Sequence, residues 1–232
     1  MRVAAERDLV EQHIRRLDRA LSGPAGLKRR MLTEARQGLD DAVLDLREAG
    51  RTRAEAEREA VAEFGTVDEL VPSYQAELAA SAARTLGLRV VAVFAVLAIC
   101  GDLVWRGAPW TGPQPPTAYS ALSQGIDVLG IVAAATAVLG SAALWFATRA
   151  GRLVPPRVLR WAVIAVVGLV TVEAASGIAI YAWSAEMWDT ALTWPPMIVG
   201  GTAMAAAGIW IGRAAATSLG ASASLATPAR AR

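Results

Sequence analysis

The stretch LGLRVVAVFAVLAICGDLVW, residues 86–105, decides the fold of this chain. A helix of about 20 apolar residues is long enough to cross the roughly 30 Å hydrocarbon layer of a membrane. Three further stretches of this kind follow, at residues 122–146, 158–183 and 194–211. The sequence therefore predicts four membrane-spanning helices.

Charged residues are concentrated before the first of these stretches. The first 87 residues hold 14 of the 23 Lys and Arg and 16 of the 21 Asp and Glu, although 54% of the whole chain is hydrophobic. So apolar a composition is unusual for a soluble protein, and here the excess is confined to the second part. We predict an all-α protein with a small cytoplasmic helical domain at 1–85, a four-helix transmembrane bundle at 86–213 and a disordered cytoplasmic tail at 214–232.

Helical periodicity divides the predicted cytoplasmic domain into four segments. The apolar residues of the first segment recur at intervals of three and four, and they are Leu9, Val10, Ile14, Leu17 and Leu21. A second helix is predicted over 24–50, beginning at a proline and ending at a glycine. Thr52 with Glu55, and Thr66 with Glu69, match the capping-box pattern and predict where the third and fourth helices begin.

No cluster of residues in the sequence is suited to catalysis or to metal binding. The chain has one histidine and one cysteine, and it lacks a glycine-rich phosphate loop. We therefore predict no enzyme activity, no metal and no cofactor. The run Lys28-Arg29-Arg30 is followed one turn later by Glu34, which is typical of a solvated helix face. Direct contact with nucleic acid is not predicted.

The segment LTEARQGLDDAVLDLREAGRTRAEAEREAVAEFGTVDELVPSYQAEL, residues 32–78, resembles the HAAS or permease-prefix domain. The resemblance covers about residues 5–80 and depends on helix patterning together with Gly50, Ala56, Phe64, Gly65 and Leu70. It implies a helical cytoplasmic domain of the kind that precedes varied transmembrane modules in bacteria. Such domains are commonly encoded beside PadR-type winged-helix repressors, which implies a signalling connection between membrane and repressor.

A PadR-type regulator is therefore the expected protein partner of this domain. The candidate partner-binding residues are His13, Arg16, Arg29, Arg30 and Phe64. His13 lies on the apolar stripe of the first helix. It is expected to be either a histidine of the core or edge, or a pH-sensing group.

Arginine is distributed unequally between the predicted loops. Two arginines lie before or at the start of the first span, four lie around the second loop and one follows the last span: Arg84, Arg89, Arg149, Arg152, Arg157, Arg160 and Arg213. The first loop carries only Arg106, and the third carries none. Because cytoplasmic loops are rich in Lys and Arg, we predict a multi-pass protein of the bacterial inner membrane with both termini in the cytoplasm.

Acidic residues within or near the spans are candidates for a ligand, ion or switch site. Glu173 lies well inside the third span, where an isolated charge is costly. Asp102 and Asp127 lie near the outer ends of the first two spans, and Arg106 is the only nearby base. One hypothesis is an outward-opening site for a proton, a metal ion or a cationic small molecule. The alternative is a structural role, with Glu173 neutral or hydrogen-bonded and Asp102 paired with Arg106.

These features favour a membrane-anchored signalling protein whose cytoplasmic domain binds a transcriptional regulator under control of the bundle. A component of a membrane transporter or permease complex is the alternative. Gly208 and Gly212 form a GxxxG pattern in the fourth span, which is compatible with packing inside the bundle or with a homo-oligomer. Besides the regulator, the lipid bilayer is the expected partner.

Overall fold

The computed structural model describes residues 9–106, 114–150, 154–188 and 191–224. Within them it has seven α-helices and no strand, which confirms the predicted all-α class. The helices are α1 (Leu9–Ala20), α2 (Ala25–Glu48), α3 (Arg53–Phe64), α4 (Val67–Arg106), α5 (Thr117–Arg149), α6 (Pro156–Met187) and α7 (Pro195–Ser224).

The chain divides into two compact units. Of the described residues, 9–82 and 220–224 form one, here called the terminal unit because it contains the first and the last of them. Residues 83–219 form the other, here called the membrane unit. Helix α4 begins in the terminal unit and α7 ends in it, so both helices contribute to both units.

Local signals of the kind recognised in the sequence define the turns of the terminal unit. After α2 the N–H of Gly50 donates to the carbonyl of Arg47, and the N–H of Arg51 donates to that of Leu46, which is the Schellman arrangement. Gly50 has a φ of 91°, a conformation that glycine adopts at little cost. Helix α3 then begins with the predicted capping box of Thr52 and Glu55. Hydrogen bonds from Thr52 hold the pKa of the Glu55 carboxyl below its usual range.

Two adjoining apolar clusters make the core of the terminal unit. One contains buried residues from α1, α2 and α3: Val10, Ile14, Ala35, Leu39 and Ala60. The other brings in α4: Leu17, Leu21, Met31 and Leu78. Seven of these nine residues are large aliphatic side chains, and Ala35 and Ala60 allow the helices that carry them to approach closely. Ion pairs between Lys28 and Asp18, at 2.9 Å, and between Arg36 and Glu11 add contacts between α1 and α2.

A buried glutamine joins three separate parts of the terminal unit. Gln75 of α4 is only 1% exposed. Its Oε1 accepts from the N–H of Ser22 at 2.9 Å, and its Nε2 donates to the carbonyl of Ser22 at 2.6 Å. The same Nε2 also donates to the carbonyl of Ala221 at 2.8 Å. The side chain therefore holds the turn between α1 and α2 and the last turn of α7.

Four helices are long and apolar enough to cross a membrane, as the composition predicts. Their candidate spans are Val67–Ile99, Thr117–Ala147, Arg157–Met187 and Pro195–Ser224. All four contribute to one cluster in the membrane unit, with buried Leu86, Val90, Ala137, Val163, Ile211, Ala214 and Ala215. Helices α4 and α5 approach closely at Gly87, where an added Cβ would lie 3.2 Å from the carbonyl oxygen of Ala137. Such contacts between small residues are typical of membrane helices.

The structure extends two helices beyond the predicted boundaries. The fourth helix of the terminal unit and the first span are one continuous helix, α4. Residues 214–224, which the sequence analysis assigned to a disordered tail, continue α7 to Ser224. The reason is burial, because Ala221 and Ser222 are buried and Ala221 accepts a hydrogen bond from Gln75. The rest of the predicted tail, residues 225–232, lies outside the described residues.

Replacement of Gln75 by Leu tests the role of this side chain. The variant removes the hydrogen bonds to exposed Ser22, whose backbone groups can bond to water instead. It also leaves the buried carbonyl of Ala221 without Gln75, and a buried polar group without a partner costs about 1–3 kcal/mol. We expect amide hydrogen exchange of the full-length protein to become faster at residues 20–24 and 219–224. Gln37→Leu on the exposed surface of α2 is the matched control and should leave both segments unchanged. Unchanged exchange in Gln75→Leu would contradict this role.

Candidate functional site

The exposed arginines of the terminal unit are the first candidate site. Arg16 lies in the second half of α1, and Arg29 and Arg30 lie in the first turns of α2, and all three are exposed. None of them forms an ion pair with another residue that the structure describes, whereas neighbouring Lys28 is paired with Asp18. Arg29 and Arg30 line an open groove of about 450 Å³ together with Gly26, Thr33, Glu34 and Gln37. The groove therefore offers guanidinium donors to an acidic surface.

His13 and Phe64, the other two predicted partner residues, lie inside the terminal unit. His13 is 7% exposed, and its ring meets that of Phe64 edge to face with 6.0 Å between ring centres. Burial, and secondarily the charge of Arg16, lowers the pKa of His13 below its usual 6.5. The His13 Nε2 has no hydrogen-bond partner among the described residues. A partner on the surface would thus meet the arginines first, and would reach His13 only after α1 or α3 moved.

Glu57 is a buried acidic residue that the sequence analysis did not single out. Its side chain is 6% exposed, and Oε1 accepts from Nε of Arg53 at 2.9 Å. The other carboxylate oxygen is buried and has no hydrogen-bond partner in the described part of the chain. Position 57 lies one residue after buried Ala56 and three before buried Ala60, so helical spacing alone could have placed it on the inner face.

The membrane unit brings together two of the four predicted switch residues. Glu173 of α6 is partly buried, and Asp127 of α5 lies near enough for the two charges to interact. The Glu173 Oε2 is buried without a hydrogen-bond partner among the described residues. One turn along α6, Gly177 lies against Met204 of α7, since an added Cβ would be 3.2 Å from its sulfur. Glu173 is therefore close to α5 and, through this turn, to α7.

Asp102 and Arg106 belong to the last turns of α4, but their side chains lie outside what the structure describes. Their participation in a site with Glu173 stays a prediction. Among the described residues, no group of three or more His, Cys, Asp or Glu is arranged to hold a metal ion. The pair of Glu173 and Asp127 thus supplies carboxylate oxygens from two helices without a third described ligand.

An aromatic cluster connects α5 with α6 at the opposite end from the α5–α6 loop. Tyr119 is buried, and its hydroxyl is 2.8 Å from the Ser184 Oγ. Its ring packs edge to face against Trp183 and Trp188, with 5.7 Å between centres in both pairs. Sequence reasoning missed this cluster, because Tyr119 and Ser184 lie 65 residues apart. Its tight packing gives it a structural role in holding these helix ends together.

The GxxxG pattern of α7 does not mediate packing within the described part of the chain. A Cβ placed on Gly208 or on Gly212 would meet nothing within 4 Å. Of the two uses left open by the sequence, packing inside the bundle is therefore not observed for this face. A homo-oligomer through it stays a prediction.

Taken together, the four long apolar helices make this chain a multi-pass membrane protein. Comparisons with protein-family models, with curated proteins and with solved structures found no match to it. The resemblance to the HAAS or permease-prefix domain thus remains an expectation from residue pattern.

The buried His13 predicts how stability depends on pH. Because the pKa of His13 is lowered in the folded protein, the unfolded chain binds the proton more readily. The free energy of unfolding therefore decreases as the pH falls below about 6.5, the usual pKa of histidine, toward the lowered pKa of the folded state. His13 is the only histidine, so no other imidazole contributes. We expect hydrogen exchange in α1, corrected for the intrinsic effect of pH, to be faster at pH 5.5 than at pH 7.5.

The matched variant is His13→Gln, which keeps a polar side chain but does not titrate. Its α1 exchange should be equally protected at both pH values. If the variant retained the full pH dependence of the wild type, another group would be responsible and this account of His13 would be wrong.

Proposed function

We propose that this protein is a membrane-anchored signalling protein whose terminal unit binds a transcriptional regulator. In this proposal the terminal unit lies in the cytoplasm, and the four membrane-spanning helices adjust how strongly the regulator is held. The protein acts by binding and carries out no catalysis. Its place is the inner membrane of a bacterial cell, with both termini in the cytoplasm.

The observation that carries the proposal is the open groove lined by Arg29 and Arg30, whose guanidinium groups, like that of exposed Arg16 on α1, form no ion pair with a described residue. Arginines of this kind are enriched at protein interfaces, where their planar guanidinium groups can form paired hydrogen bonds with carboxylates. The groove beside Arg29 and Arg30 gives such a partner a defined surface. An acidic face on the regulator is the complementary chemistry.

Two continuous helices supply a physical route for control. Helix α4 passes from the terminal unit into the membrane unit, and α7 returns from the membrane unit to end in the terminal unit. At the terminal end Gln75 holds α4, α7 and the turn at Ser22 together. A stimulus would act by binding one conformation of the membrane unit more strongly than another, which shifts the population of both.

The class of regulator comes from the resemblance to the HAAS or permease-prefix domain. That resemblance implies a PadR-type winged-helix repressor as the partner. The cytoplasmic location comes from the arginine distribution, because Arg149, Arg157 and Arg160 lie at the α5–α6 loop while the loops on the other side carry a single arginine.

Charge reversal at Arg29 and Arg30 tests the binding surface in the full-length protein. We expect the double variant Arg29→Glu, Arg30→Glu to reduce the amount of regulator recovered with the detergent-solubilised protein by about tenfold. The reason is that the new carboxylates would then face the acidic surface of the regulator and repel it. Arg47→Glu with Arg58→Glu is the matched control, since these exposed arginines lie elsewhere on the same unit and the charge change is equal. The measurement is quantitative mass spectrometry of proteins recovered from the native cells.

Deletion of residues 1–80 should abolish recovery of the regulator altogether. Equal recovery with the wild type, the Arg29 and Arg30 variant and the deletion would contradict the proposal. Recovery of an ATPase or of other membrane subunits, unaffected by the deletion, would instead favour the transporter alternative.

The carboxylate pair in the membrane unit favours that second candidate function, a component of a transporter. Glu173 and Asp127 lie on two neighbouring membrane helices within range of each other's charge, and ionisable residues inside membrane helices often mark ion or substrate pathways. If transport is the function, Glu173→Gln removes one carboxylate and should abolish most of the substrate flux. If signalling is the function, flux is unaffected and expression of the regulated genes changes. Glu186→Gln, at an exposed position near the end of α6, is the control and should change neither.

A further inference from the structure

The α5–α6 end of the membrane unit carries exposed positive charge with no acidic residue nearby in sequence. Arg149 ends α5, and Arg157 and Arg160 lie in the first turns of α6, and all three are exposed. No Asp or Glu occurs between Asp127 and Glu173. None of the three arginines forms an ion pair with a described residue. Their guanidinium groups are therefore open to an external anion.

Each of these arginines lies at the end of an exposed apolar stripe. On α6 the positions 157, 160, 161 and 164 follow helical spacing on one face, and Trp161 is 68% exposed. On α5 Leu139, Phe146 and Arg149 are exposed with Phe146 three residues before the arginine. A ligand along either helix would thus meet apolar side chains first and guanidinium groups at the end.

Arg149 is held in a defined orientation by an aromatic ring. Its guanidinium carbon lies 4.1 Å from the centre of the Trp145 ring. Stacking of this kind occupies one face of the guanidinium and leaves the N–H groups at its edge able to donate. Paired donation from such an edge matches the geometry of a phosphate group.

We propose that this end of α5 and α6 binds the phosphate headgroup of an anionic phospholipid, with an acyl chain lying along the apolar stripe. The stripe distinguishes a lipid from free phosphate, since only a lipid has a chain to cover the exposed side chains. The three arginines, with no acidic residue near them in sequence, favour an anionic lipid over a zwitterionic one. Trp161 and Trp145 suit the headgroup level of a bilayer, which supports a lipid phosphate at this end of the helices. The proposal holds for either membrane orientation and does not depend on the regulator.

The test is lipid selectivity of the full-length protein in phosphatidylcholine bilayers that contain a small fraction of spin-labelled lipid. Electron paramagnetic resonance gives the relative association of phosphatidylglycerol and phosphatidylcholine with the protein. For the wild type we expect a preference for phosphatidylglycerol at low salt. The triple variant Arg149→Gln, Arg157→Gln, Arg160→Gln should lose this preference. The association of phosphatidylglycerol relative to phosphatidylcholine should fall by up to about fivefold for each arginine removed. Glycerophosphate, which has the headgroup and no chains, should not compete at millimolar concentration.

Two further variants separate this site from general charge effects. The first is the triple variant Arg16→Gln, Arg29→Gln, Arg30→Gln, which removes the same charge from the terminal unit. It should keep the wild-type preference for phosphatidylglycerol. The second is the triple variant Arg149→Lys, Arg157→Lys, Arg160→Lys, which keeps the charges that orient the helices during insertion. It removes the paired hydrogen bonds that a guanidinium group donates to a phosphate, so the preference for phosphatidylglycerol should weaken. Equal preference in the wild type and the glutamine variant would overturn the proposal, as would an equal loss in the terminal-unit control. Full displacement by glycerophosphate would also overturn it, in favour of a site for soluble phosphate.

Discussion

The hydrocarbon layer of a membrane offers no hydrogen-bond partner to a peptide group, and the fold of this chain depends on that constraint. A single segment that crosses it can satisfy its own backbone by forming a helix. The four long helices α4, α5, α6 and α7 meet this requirement. Because four is an even number, the chain returns to the side from which it started. Residues near the beginning and the end of the chain can therefore pack together, and they do so in the terminal unit.

Gln75 illustrates how this return is used. Its amide group binds both backbone groups of Ser22 and the carbonyl of Ala221, a residue 146 positions away. A small unit whose buried residues include many alanines has limited hydrophobic burial to stabilise it. Hydrogen bonds that satisfy buried polar groups then contribute to a unique arrangement. The last turn of α7 is consequently part of the terminal unit's structure.

Local signals explain why much of the fold could be predicted from sequence. Apolar length placed the four spans, and the capping box of Thr52 and Glu55 and the glycine at position 50 placed the ends of short helices. These are interactions between residues only a few positions apart. The continuation of α7 to Ser224 was not predicted in this way, because threonine, serine and glycine interrupt the alanines of that segment and weaken its local preference for helix. Its last turn is stabilised by burial and by the hydrogen bond from Gln75, far away in sequence.

The candidate sites follow the same division. Composition and helical position identified Glu173 and the exposed arginines, since a carboxylate inside an apolar segment is evident in any sequence. The burial of Glu57 and the contact of Arg149 with Trp145 follow helical spacing within one helix and were accessible from sequence. The proximity of Asp127 to Glu173 depends on how two helices pack. Sequence therefore indicates which residues have the chemistry, and the structure shows which of them meet.

The side of the membrane on which the terminal unit lies is the claim that matters most, because a regulator of transcription is accessible only from the cytoplasm. It can be measured by labelling single cysteines with a membrane-impermeant maleimide, in a Cys100→Ala background that removes the one native cysteine. Gln37→Cys reports on the terminal unit, and Leu192→Cys, where the leucine is 59% exposed, reports on the segment between α6 and α7. In intact cells the account predicts labelling at position 192 alone, with position 37 labelled only after permeabilisation. Labelling at position 37 and not at 192 in intact cells would contradict it.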